Sequence, residues 1–500
     1  ISGIVVSLVT LLIHIPVHGT PAPPNEPNSH LPATLDRLLE DPCLRRARVG
    51  VRVESLGNDR ILYDRNGDRS LMPASNVKIF TAAAALQILG PGYRFPTTFH
   101  VNHPPVRGVV DGPLYLKGWG APDLVGETWW LMVRELRRRG LRTVKGDLIL
   151  DDTYFDSAHR PPGWPRPVVD RAYNAPVSAL SCNYNVVSVR VVPEGMVGER
   201  PLIQLIPFQA HLQINNQARI RNAPTRVSVF RSGGPGSRQI VVKGSIRPGS
   251  DPFETIRSIE DPTLYAGYAF REVAEAEGIR ITGSIRKGAT PDEAVEFFRY
   301  HSKPVSEILR DMNKYSNNFI AEMILKTLAA ETGQVPGTTE QGRYIVRTIL
   351  EERGVDLRGV EIRDGSGLSD ANRATPAALV STLAIFGRDF GIFPELLASL
   401  PIAGIDGTLK DRNGDSNRNG RVRAKTGRLR GVDSLSGYAG TGGRNARIFS
   451  LLVNGSSCSH EKVTAVLDRI ADRIATSSDP AESAGGGKID LKDPASPPGS

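Results

Sequence analysis

Hydrophobic and polar positions alternate in different ways along the chain, and each change of spacing predicts a different element. The stretch "LPATLDRLLEDPCL", residues 31–44, has helical apolar spacing. The next stretch, "ARVGVRVESLGNDRILYDRNGD", alternates with a period of two and predicts a hairpin that turns at residues 57–59. From Thr81 to Leu89 an alanine-rich run has high helix propensity and almost no polar face, so it predicts a buried helix.

The middle of the chain has shorter apolar runs and more Gly and Pro residues. From about Phe99 to Phe297, short apolar runs separated by Gly and Pro turns predict strands, with one helical pattern at "ETWWLMVRELRRRG". A helical block follows, in which "KPVSEILRDMNKYSNNFIAEMILKTLAAETG" predicts two helices interrupted near Tyr315–Asn318, and "TEQGRYIVRTILEERG" predicts a third. The strand-like runs "RVRAKTGR", "VDSLSGYAG" and "ARIFSLLVNG" then precede the helical pattern "HEKVTAVLDRIADRIAT".

This order of elements predicts a domain built from both parts of the chain. An isolated hairpin is only marginally stable, so the strands before the buried helix need partners, and the strands near residues 422–455 are the natural candidates. The expected architecture is α+β and multidomain. Residues 34–98 and 298–476 would form one domain, which is interrupted by one or more β-rich inserted domains at residues 99–297.

The two ends of the sequence look unlike the rest. Residues 1–19 are apolar and signal-like, and the Pro-rich residues 20–33 suit a linker after an export signal. The low-complexity residues 477–500 are expected to be disordered. These features predict a protein exported to the periplasm or the cell wall, and anchoring in a membrane is the alternative for the apolar segment.

Composition narrows the class of partner. The 500 residues carry a formal net charge of +9, which favours anionic neighbours, although a solvated basic surface is an equal alternative. No nucleic-acid-binding motif occurs in the sequence, so nucleic acid is not an expected partner. Three cysteines, Cys43, Cys182 and Cys458, are too few for a metal site and allow one disulfide, whose pairing stays open.

Residues 411–420, "DRNGDSNRNG", have the alternating oxygen-bearing side chains of a calcium loop. The twelfth position of such a loop would be Val422, where a bidentate Glu is required. We therefore expect a polar loop and no metal at this point of the chain.

Candidate chemistry begins at "SNVK", where Ser75 and Lys78 are three residues apart and share one helix face. A serine can act as a nucleophile if a base removes its proton, and a lysine can be that base once burial keeps it neutral. The alternative, an ordinary helix start with a surface lysine, is the better interpretation of this pair taken alone.

Two further short motifs contain residues that could take part in catalysis or substrate binding. Ser316 and Asn318 stand at the predicted break between two helices, where a turn can present both side chains to one cleft. Lys425, Thr426 and Gly427 end a strand pattern, where the cation and hydroxyl could bind a carboxylate and the glycine would admit a substrate backbone. Each alone is more often a turn. The ordered set Ser-x-x-Lys, Ser-x-Asn, Lys-Thr-Gly is shared by penicillin-binding proteins and serine β-lactamases.

From about residue 35 to residue 476 the chain resembles the class C low-molecular-mass penicillin-binding proteins, the D-alanyl-D-alanine carboxypeptidase/endopeptidases. The resemblance also includes "GDLILDDTYFD", "PGWP", "YNAPVSALSCNYN", "DGSGLS", "LPIAGIDGTL" and "VNG", in the family's order. It implies a penicillin-recognising domain with an antiparallel sheet packed by helices. It also implies hydrolysis of the D-Ala-D-Ala bond of peptidoglycan stem peptides, inhibition by β-lactam antibiotics, and no metal or organic cofactor.

The resemblance implies a role for each matched position. Ser75 would be the acylated nucleophile and Lys78 its base. Ser316 would relay a proton to the leaving amine, and Asn318 would bind the substrate amide. Lys425 and Thr426 would hold the terminal carboxylate, next to Gly427, and the backbone N–H groups of Ser75 and Arg428 would form the oxyanion hole.

The chain departs from the family pattern at three places, one of which is "GWGAPDL" in the insertion, where the family usually has a Gly-Gly-Gly-Asp-Pro stretch. Arg428 stands where relatives have a small hydroxyl residue, and Asp370 where they often have an arginine that meets the substrate side chain. Arg373 is the candidate to compensate for Asp370, and Asp151 or Asp152 is a candidate contact to the same side chain.

Two alternatives for the function stay open. A serine β-lactamase shares the motif set, but the separation between Ser75 and Ser316 leaves room for domains that β-lactamases lack. A catalytically silent cell-wall binding protein is the other alternative. Cleavage of D-Ala cross-links by endopeptidase action cannot be separated from carboxypeptidase action in the sequence.

Overall fold

The computed structural model describes residues 31–164, 169–209, 211–233, 237–412, 420–440 and 446–477. Within these ranges the strands are β1 Arg48–Ser55, β2 Ile61–Arg65, β3 Arg94–Val101, β4 Val109–Val110, β5 Leu114–Gly118, β6 Thr143–Val144, β7 Leu148–Asp151, β8 Val186–Val192, β9 Leu202–Ile206, β10 Gln213–Asn216, β11 Arg219–Ile220, β12 Arg226–Ser232, β13 Gln239–Ile246, β14 Phe253–Ser258, β15 Arg280–Ile281, β16 Ile285–Lys287, β17 Val295–Pro304, β18 Val422–Leu429, β19 Val432–Ala439 and β20 Arg447–Asn454. The helices are α1 Leu31–Leu39, α2 Pro42–Arg45, α3 Val77–Leu89, α4 Gly126–Arg138, α5 Pro262–Ala276, α6 Val305–Lys314, α7 Asn318–Glu331, α8 Thr339–Glu352, α9 Pro376–Phe386, α10 Phe393–Ser399 and α11 His460–Thr476.

The main sheet joins the two distant parts of the chain. Its five strands are antiparallel in the order β18-β19-β20-β1-β2. β1 pairs along its whole length with β20, from Arg48 opposite Asn454 to Ser55 opposite Arg447. The predicted hairpin and its predicted partners are therefore confirmed.

Helices cover both faces of this sheet because its strands alternate apolar side chains between the faces. In β20, Leu451 and Val453 join the apolar cluster under α1 and α11, whereas Ile448 and Leu452 join the cluster under α3 and α9. The prediction that the alanine-rich helix is buried is confirmed, since every residue from Val77 to Leu86 in α3 is buried.

The insertion is built around a second five-stranded sheet, in the order β16-β7-β5-β3-β17. Its first and last strands along the chain, β3 and β17, are antiparallel partners, so the chain enters and leaves the insertion side by side. The predicted boundaries at residues 99 and 297 are wrong by a few residues, because both fall inside these strands. The alternation of apolar and polar residues in each strand continues across the position where the Gly and Pro content of the sequence changes. Smaller sheets complete the insertion: β15-β6-β4, β14-β8-β9, and a set of strands around β13.

The expectation of a single helix in the insertion is also wrong, since α5 joins the predicted α4. The sequence of α5 contains aromatic residues and Gly267, which lower its helix propensity. Packing explains the glycine, because a Cβ at this position would stand 2.4 Å from Cδ1 of Leu150 on β7. The tertiary contact with the sheet therefore overrides the local preference.

The insertion and the helices of the main domain share one continuous core. Ile79 and Phe80 of α3 belong to the same apolar cluster as Phe99 of β3 and Leu116 of β5. The predicted break between α6 and α7 is confirmed at residues 315–317. This packing places the break beside the start of α3.

The ends of the chain are only partly described. The signal-like residues 1–19, nearly all of the low-complexity segment 477–500 and most of the predicted polar loop at 411–420 lie outside the described residues. The predicted linker 20–33 ends too late, since α1 begins at Leu31. Cys43 and Cys458 form a disulfide, and Cys182 is a buried free thiol. Across the ranges given above, no helix combines the length and hydropathy needed to cross a bilayer.

Candidate active site

Ser75 lies in a tight turn at the start of α3. The turn is a single 3₁₀ segment, Ala74–Asn76, which runs directly into the helix. Ala74 has a left-handed φ of 47°, a costly conformation for a non-glycine residue that must be held by its surroundings. The Ser434 hydroxyl on β19 supplies one such contact by donating to the Pro73 carbonyl at 2.7 Å. The turn thus fixes Ser75 against the sheet.

Lys78 is wholly buried one turn further along α3. Its Nζ donates to Oγ of Ser75 at 3.1 Å, to Oδ1 of Asn318 at 2.7 Å and to the carbonyl of Ser366 at 2.6 Å. Burial lowers the pKa of Lys78 to about 7, although the negative charges of two buried carboxylates act to raise it. An amine that loses its proton near neutral pH therefore stands in contact with the serine hydroxyl.

Ser316 approaches from the break between α6 and α7. Its φ of 54° turns the chain sharply, and the side chain of Asn317 caps α7 by accepting from the Ile320 N–H at 3.1 Å. The Asn318 amide is held on both sides, since its Oδ1 contacts Lys78 and its Nδ2 donates to the Tyr173 carbonyl at 3.0 Å. This turn presents the serine and the asparagine to the same cleft.

β18 contributes the third part of the site. Nζ of Lys425 donates to Oγ of Ser316 at 2.9 Å and to the Thr426 carbonyl at 2.7 Å. Lys425 is fully buried, and burial, assisted by the charge of Lys78, lowers its pKa well below the ordinary range. The Thr426 hydroxyl is 2.8 Å from that of Thr408, which orients it along the cleft.

A cleft of about 400 Å³ opens between these elements. The predicted residues that line it are Ser75, Ser316, Thr426, Gly427 and Arg428, and Lys78, Asn318 and Lys425 lie directly behind that lining. Its remaining walls are formed by Thr408, Arg412, Asp433, Ser434, His460, Glu461, Thr464 and Leu467. The three sequence motifs therefore meet in one cleft.

The Arg428 side chain pairs with another residue of the cleft wall. Its guanidinium is largely exposed and lies 3.5 Å from Glu461 at the start of α11. Gly427 has the opposite environment: a Cβ there would stand 2.2 Å from Oγ of Ser434 and 2.8 Å from the Pro73 carbonyl. Only a glycine allows β18 to approach the Ser75 turn this closely.

Sequence reasoning missed the backbone of residues 364–369, "DGSGLS", as part of the site. The carboxylate of Asp364 organises this loop by accepting from the N–H groups of Gly367 at 2.6 Å and Ser369 at 2.7 Å. The Ser366 carbonyl then reaches Lys78. The closely spaced Asp, Gly and Ser residues signal such a loop, but a carbonyl contact leaves no side-chain signature.

The three candidate side-chain contacts are not among the residues that line the cleft around Ser75. Asp151 is buried, and its carboxylate accepts from the N–H and hydroxyl of Thr153 and from the N–H of Thr290. Asp152 accepts from the interior hydroxyls of Ser178 and Thr263.

The Arg373 guanidinium folds back onto its own loop, where it donates to the carbonyls of Asp370 and Asn372 at 2.7 and 2.8 Å. Its contact with a substrate stays a prediction.

Comparison with known proteins agrees with this geometry. Residues 31–476 match the family described as D-Ala-D-Ala carboxypeptidase 3 (S13). The chain is 35% identical to the D-alanyl-D-alanine carboxypeptidase of Actinomadura sp. (strain R39), over 88% of this chain and 84% of that protein. It is 28% identical to D-alanyl-D-alanine carboxypeptidase DacB of Haemophilus influenzae, over 82% and 86% of the two chains.

A solved structure shares the whole architecture. Penicillin-binding protein 4 of Haemophilus influenzae superposes with a TM-score of 0.76 at 26% identity, covering 88% of this chain and 97% of that one. The family match spans both parts of the main domain and the insertion between them. The chain belongs to the D-Ala-D-Ala carboxypeptidase 3 (S13) family.

Proposed function

We propose that this protein is a serine DD-peptidase that hydrolyses the D-Ala-D-Ala bond of peptidoglycan stem peptides through an acyl-enzyme on Ser75. The single observation that carries the proposal is the contact of 3.1 Å between Oγ of Ser75 and Nζ of Lys78, a buried amine whose pKa is lowered to about 7. Membership of a carboxypeptidase family supports the same reaction.

In the proposed acylation, neutral Lys78 takes the proton of Ser75 as the hydroxyl attacks the carbonyl carbon between the two D-alanines. The oxyanion is stabilised by the backbone N–H groups of Ser75 and Arg428. Ser316 relays a proton to the amine of the departing D-alanine, and Asn318 binds the substrate amide. Water then hydrolyses the ester on Ser75 and regenerates the enzyme.

Substrate orientation would come from the edge of β18. Lys425 and Thr426 bind the terminal carboxylate of the stem peptide, and Gly427 allows its backbone to run along the strand. Support for this role is the position of Thr426, which lines the same cleft as Ser75. The same chemistry would open a D-Ala cross-link, since that bond also follows a D-alanine.

β-Lactam antibiotics are the proposed inhibitors. One solved structure of penicillin-binding protein 4 of Haemophilus influenzae is a complex with a β-lactam, at 26% identity to this chain. A penicillin would acylate Ser75 in the same way as the substrate, and its ester would persist because the ring fragment stays attached and hinders water.

We also propose that the protein acts outside the cytoplasm. A disulfide between Cys43 and Cys458 supports an oxidising compartment, where such bonds form and persist. Peptidoglycan lies in that compartment. Contact with a membrane surface remains part of the proposal on the strength of the net charge of +9.

The test uses defined monomeric and cross-linked muropeptides. The parent protein should release D-alanine from the monomer, and Ser75→Ala should release it at least about 10³-fold more slowly. Equal release by both proteins would mean that Ser75 is not the nucleophile. The cross-linked substrate measures endopeptidase action in the same assay. Rapid turnover of penicillin would instead indicate a β-lactamase, and inactivity on every substrate a silent binding protein.

A further inference from the structure

One face of α7 carries three polar side chains in a helix that is mostly apolar and is buried from Asn318 to Ala330. Asn318, Glu322 and Lys326 follow each other at intervals of four residues and therefore lie along one face. Glu322 and Lys326 are completely buried. Buried charges persist only when they are paired or hydrogen-bonded, and the proposed reaction uses only Asn318 from this set.

Glu322 binds the backbone of the loop at residues 364–369, which contacts Lys78. Its Oε2 accepts from the Gly365 N–H at 3.1 Å, and its Oε1 accepts from the Ser366 N–H at 2.9 Å. On the opposite side of the same loop, the Thr81 hydroxyl of α3 donates to the Gly365 carbonyl at 2.8 Å. The Ser366 carbonyl that contacts Lys78 at 2.6 Å is thus clamped between α7 and α3.

Both oxygens of Glu322 accept N–H groups, an arrangement that the carboxylate satisfies and a protonated acid does not fully satisfy. The charged groups that face it are Lys78 on α3 and Asp364 on the loop. Burial and the charge of Asp364 raise the pKa of Glu322, and the carboxylate of Glu322 in turn raises the pKa of Lys78 against the effect of burial.

The outer end of this face is tied to the insertion. Nζ of Lys326 donates to Oδ1 of Asp156 at 2.5 Å and to the Ala158 carbonyl at 2.7 Å. Glu322 also acts on Lys326 electrostatically, and Lys425 on β18 is the remaining cation near Lys78. The row of α7 side chains therefore connects the insertion to the reaction centre.

We propose that Glu322 is a positioning residue for acylation: it holds the Ser366 carbonyl against Lys78 and places a buried carboxylate near that amine. The inference depends on the proposed function, in which Lys78 is the base. Glu322 would have two effects on Lys78. One is geometric, through the position of the Ser366 carbonyl, and the other is electrostatic, through the charge of the carboxylate, and different substitutions remove them.

The experiment measures the rate of Ser75 labelling by penicillin as a function of pH in the full chain. Glu322→Gln keeps the shape but loses the charge and one hydrogen bond. We expect its maximal rate to fall about tenfold and its acid limb to move down by about half to one pH unit, because a carboxylate that raised the pKa of Lys78 is gone. Thr81→Val removes only the geometric clamp, so its rate should fall about tenfold without movement of the limb.

Glu331→Gln is the matched control. It lies on the same helix about 14 Å further along, where its carboxylate accepts from the hydroxyls of Tyr93 and Tyr154. Its rate and its acid limb should equal those of the parent. A parent-like limb in folded Glu322→Gln would overturn the charge effect, and parent-like rates in both Glu322→Gln and Thr81→Val would overturn the clamp.

If Glu322→Gln does not fold, Glu322→Asp decides the charge effect, since it keeps the charge and should keep the limb while its rate falls; a moved limb would overturn the charge effect. Failure of the proposed function is a distinct outcome. A parent protein that is never labelled on Ser75 contradicts that function, whereas a labelled parent with unchanged variants contradicts only the role of Glu322.

Discussion

At the scale of the residue, the site depends on two buried lysines whose surroundings give them different tasks. Lys78 has a hydroxyl, an amide oxygen and a carbonyl around it, together with two carboxylates nearby. Lys425 contacts Ser316 and the carbonyl of Thr426 on its own strand, and the positive charge of Lys78 disfavours the charged form of Lys425. The first environment suits a base that gains and loses a proton, and the second suits a group that polarises Ser316.

Acylation should depend on the protonation of Lys78. Only the neutral amine can accept the Ser75 proton, and the pKa of Lys78 is lowered to about 7. The rate of penicillin acylation should therefore be low in acid, rise through about pH 7 and level off above it. Stopped-flow acylation between pH 5 and 9 measures this limb. A rate that is constant across this interval would show that no group with such a pKa acts as the base.

At the scale of the element, the central feature is the close approach of β18 to the turn before α3. Gly427 lies against Ser434 and Pro73, and Gly367 on the neighbouring loop would bring a Cβ to 1.9 Å from the Ala74 carbonyl. Two glycines therefore allow a strand and a loop to meet around the Ser75 turn. Their spacing defines the width of the cleft.

Gly427→Ala should push β18 away from Ser75. We expect a loss of about 1–3 kcal/mol in the free energy of unfolding and a fall of at least about tenfold in acylation rate. Denaturant unfolding and penicillin labelling measure the two effects. Gly57→Ala is the control, because a Cβ in the β1–β2 turn meets nothing within 4 Å. Full acylation by Gly427→Ala would mean that the strand edge tolerates a side chain there.

Most of the helices and strands that form the site could be predicted from the sequence. The alternation of apolar residues predicted β1, β2 and β18–β20, and the break at residues 315–317 followed from the pattern of α6 and α7. α5 was not predicted because its sequence contains Gly267, which lowers its helix propensity. The packing of Gly267 against Leu150 explains the glycine, and Leu150 is remote in sequence. The Ser366 carbonyl escaped prediction for a related reason, since a backbone atom acquires its role only through the fold.

At the scale of the whole molecule, the chain closes on itself through β1 and β20 and through Cys43 and Cys458, which are 415 residues apart. Pairing of the distant strands was predictable because an isolated hairpin needs partners. Which cysteines pair was not predictable, since it depends on α2 meeting the segment before α11. Cys182 lies in the insertion, where it is a buried free thiol.

Removal of the disulfide should weaken the molecule without unfolding it. The double substitution Cys43→Ala, Cys458→Ala should lower the free energy of unfolding by about 2–4 kcal/mol, while the pairing of β1 with β20 keeps the fold and the site intact. Guanidinium unfolding and penicillin labelling report on both. Equal stability of the parent with and without reductant would show that the bridge adds nothing to the sheet.

The central claim is that one hydroxyl, Ser75, becomes acylated although Ser316 shares the same cleft. Its most direct test is peptide mapping by mass spectrometry after incubation with benzylpenicillin. The account predicts one penicillin per chain, located on the peptide that contains Ser75 and absent from Ser75→Ala. An adduct on Ser316, or an adduct that persists in Ser75→Ala, would contradict it.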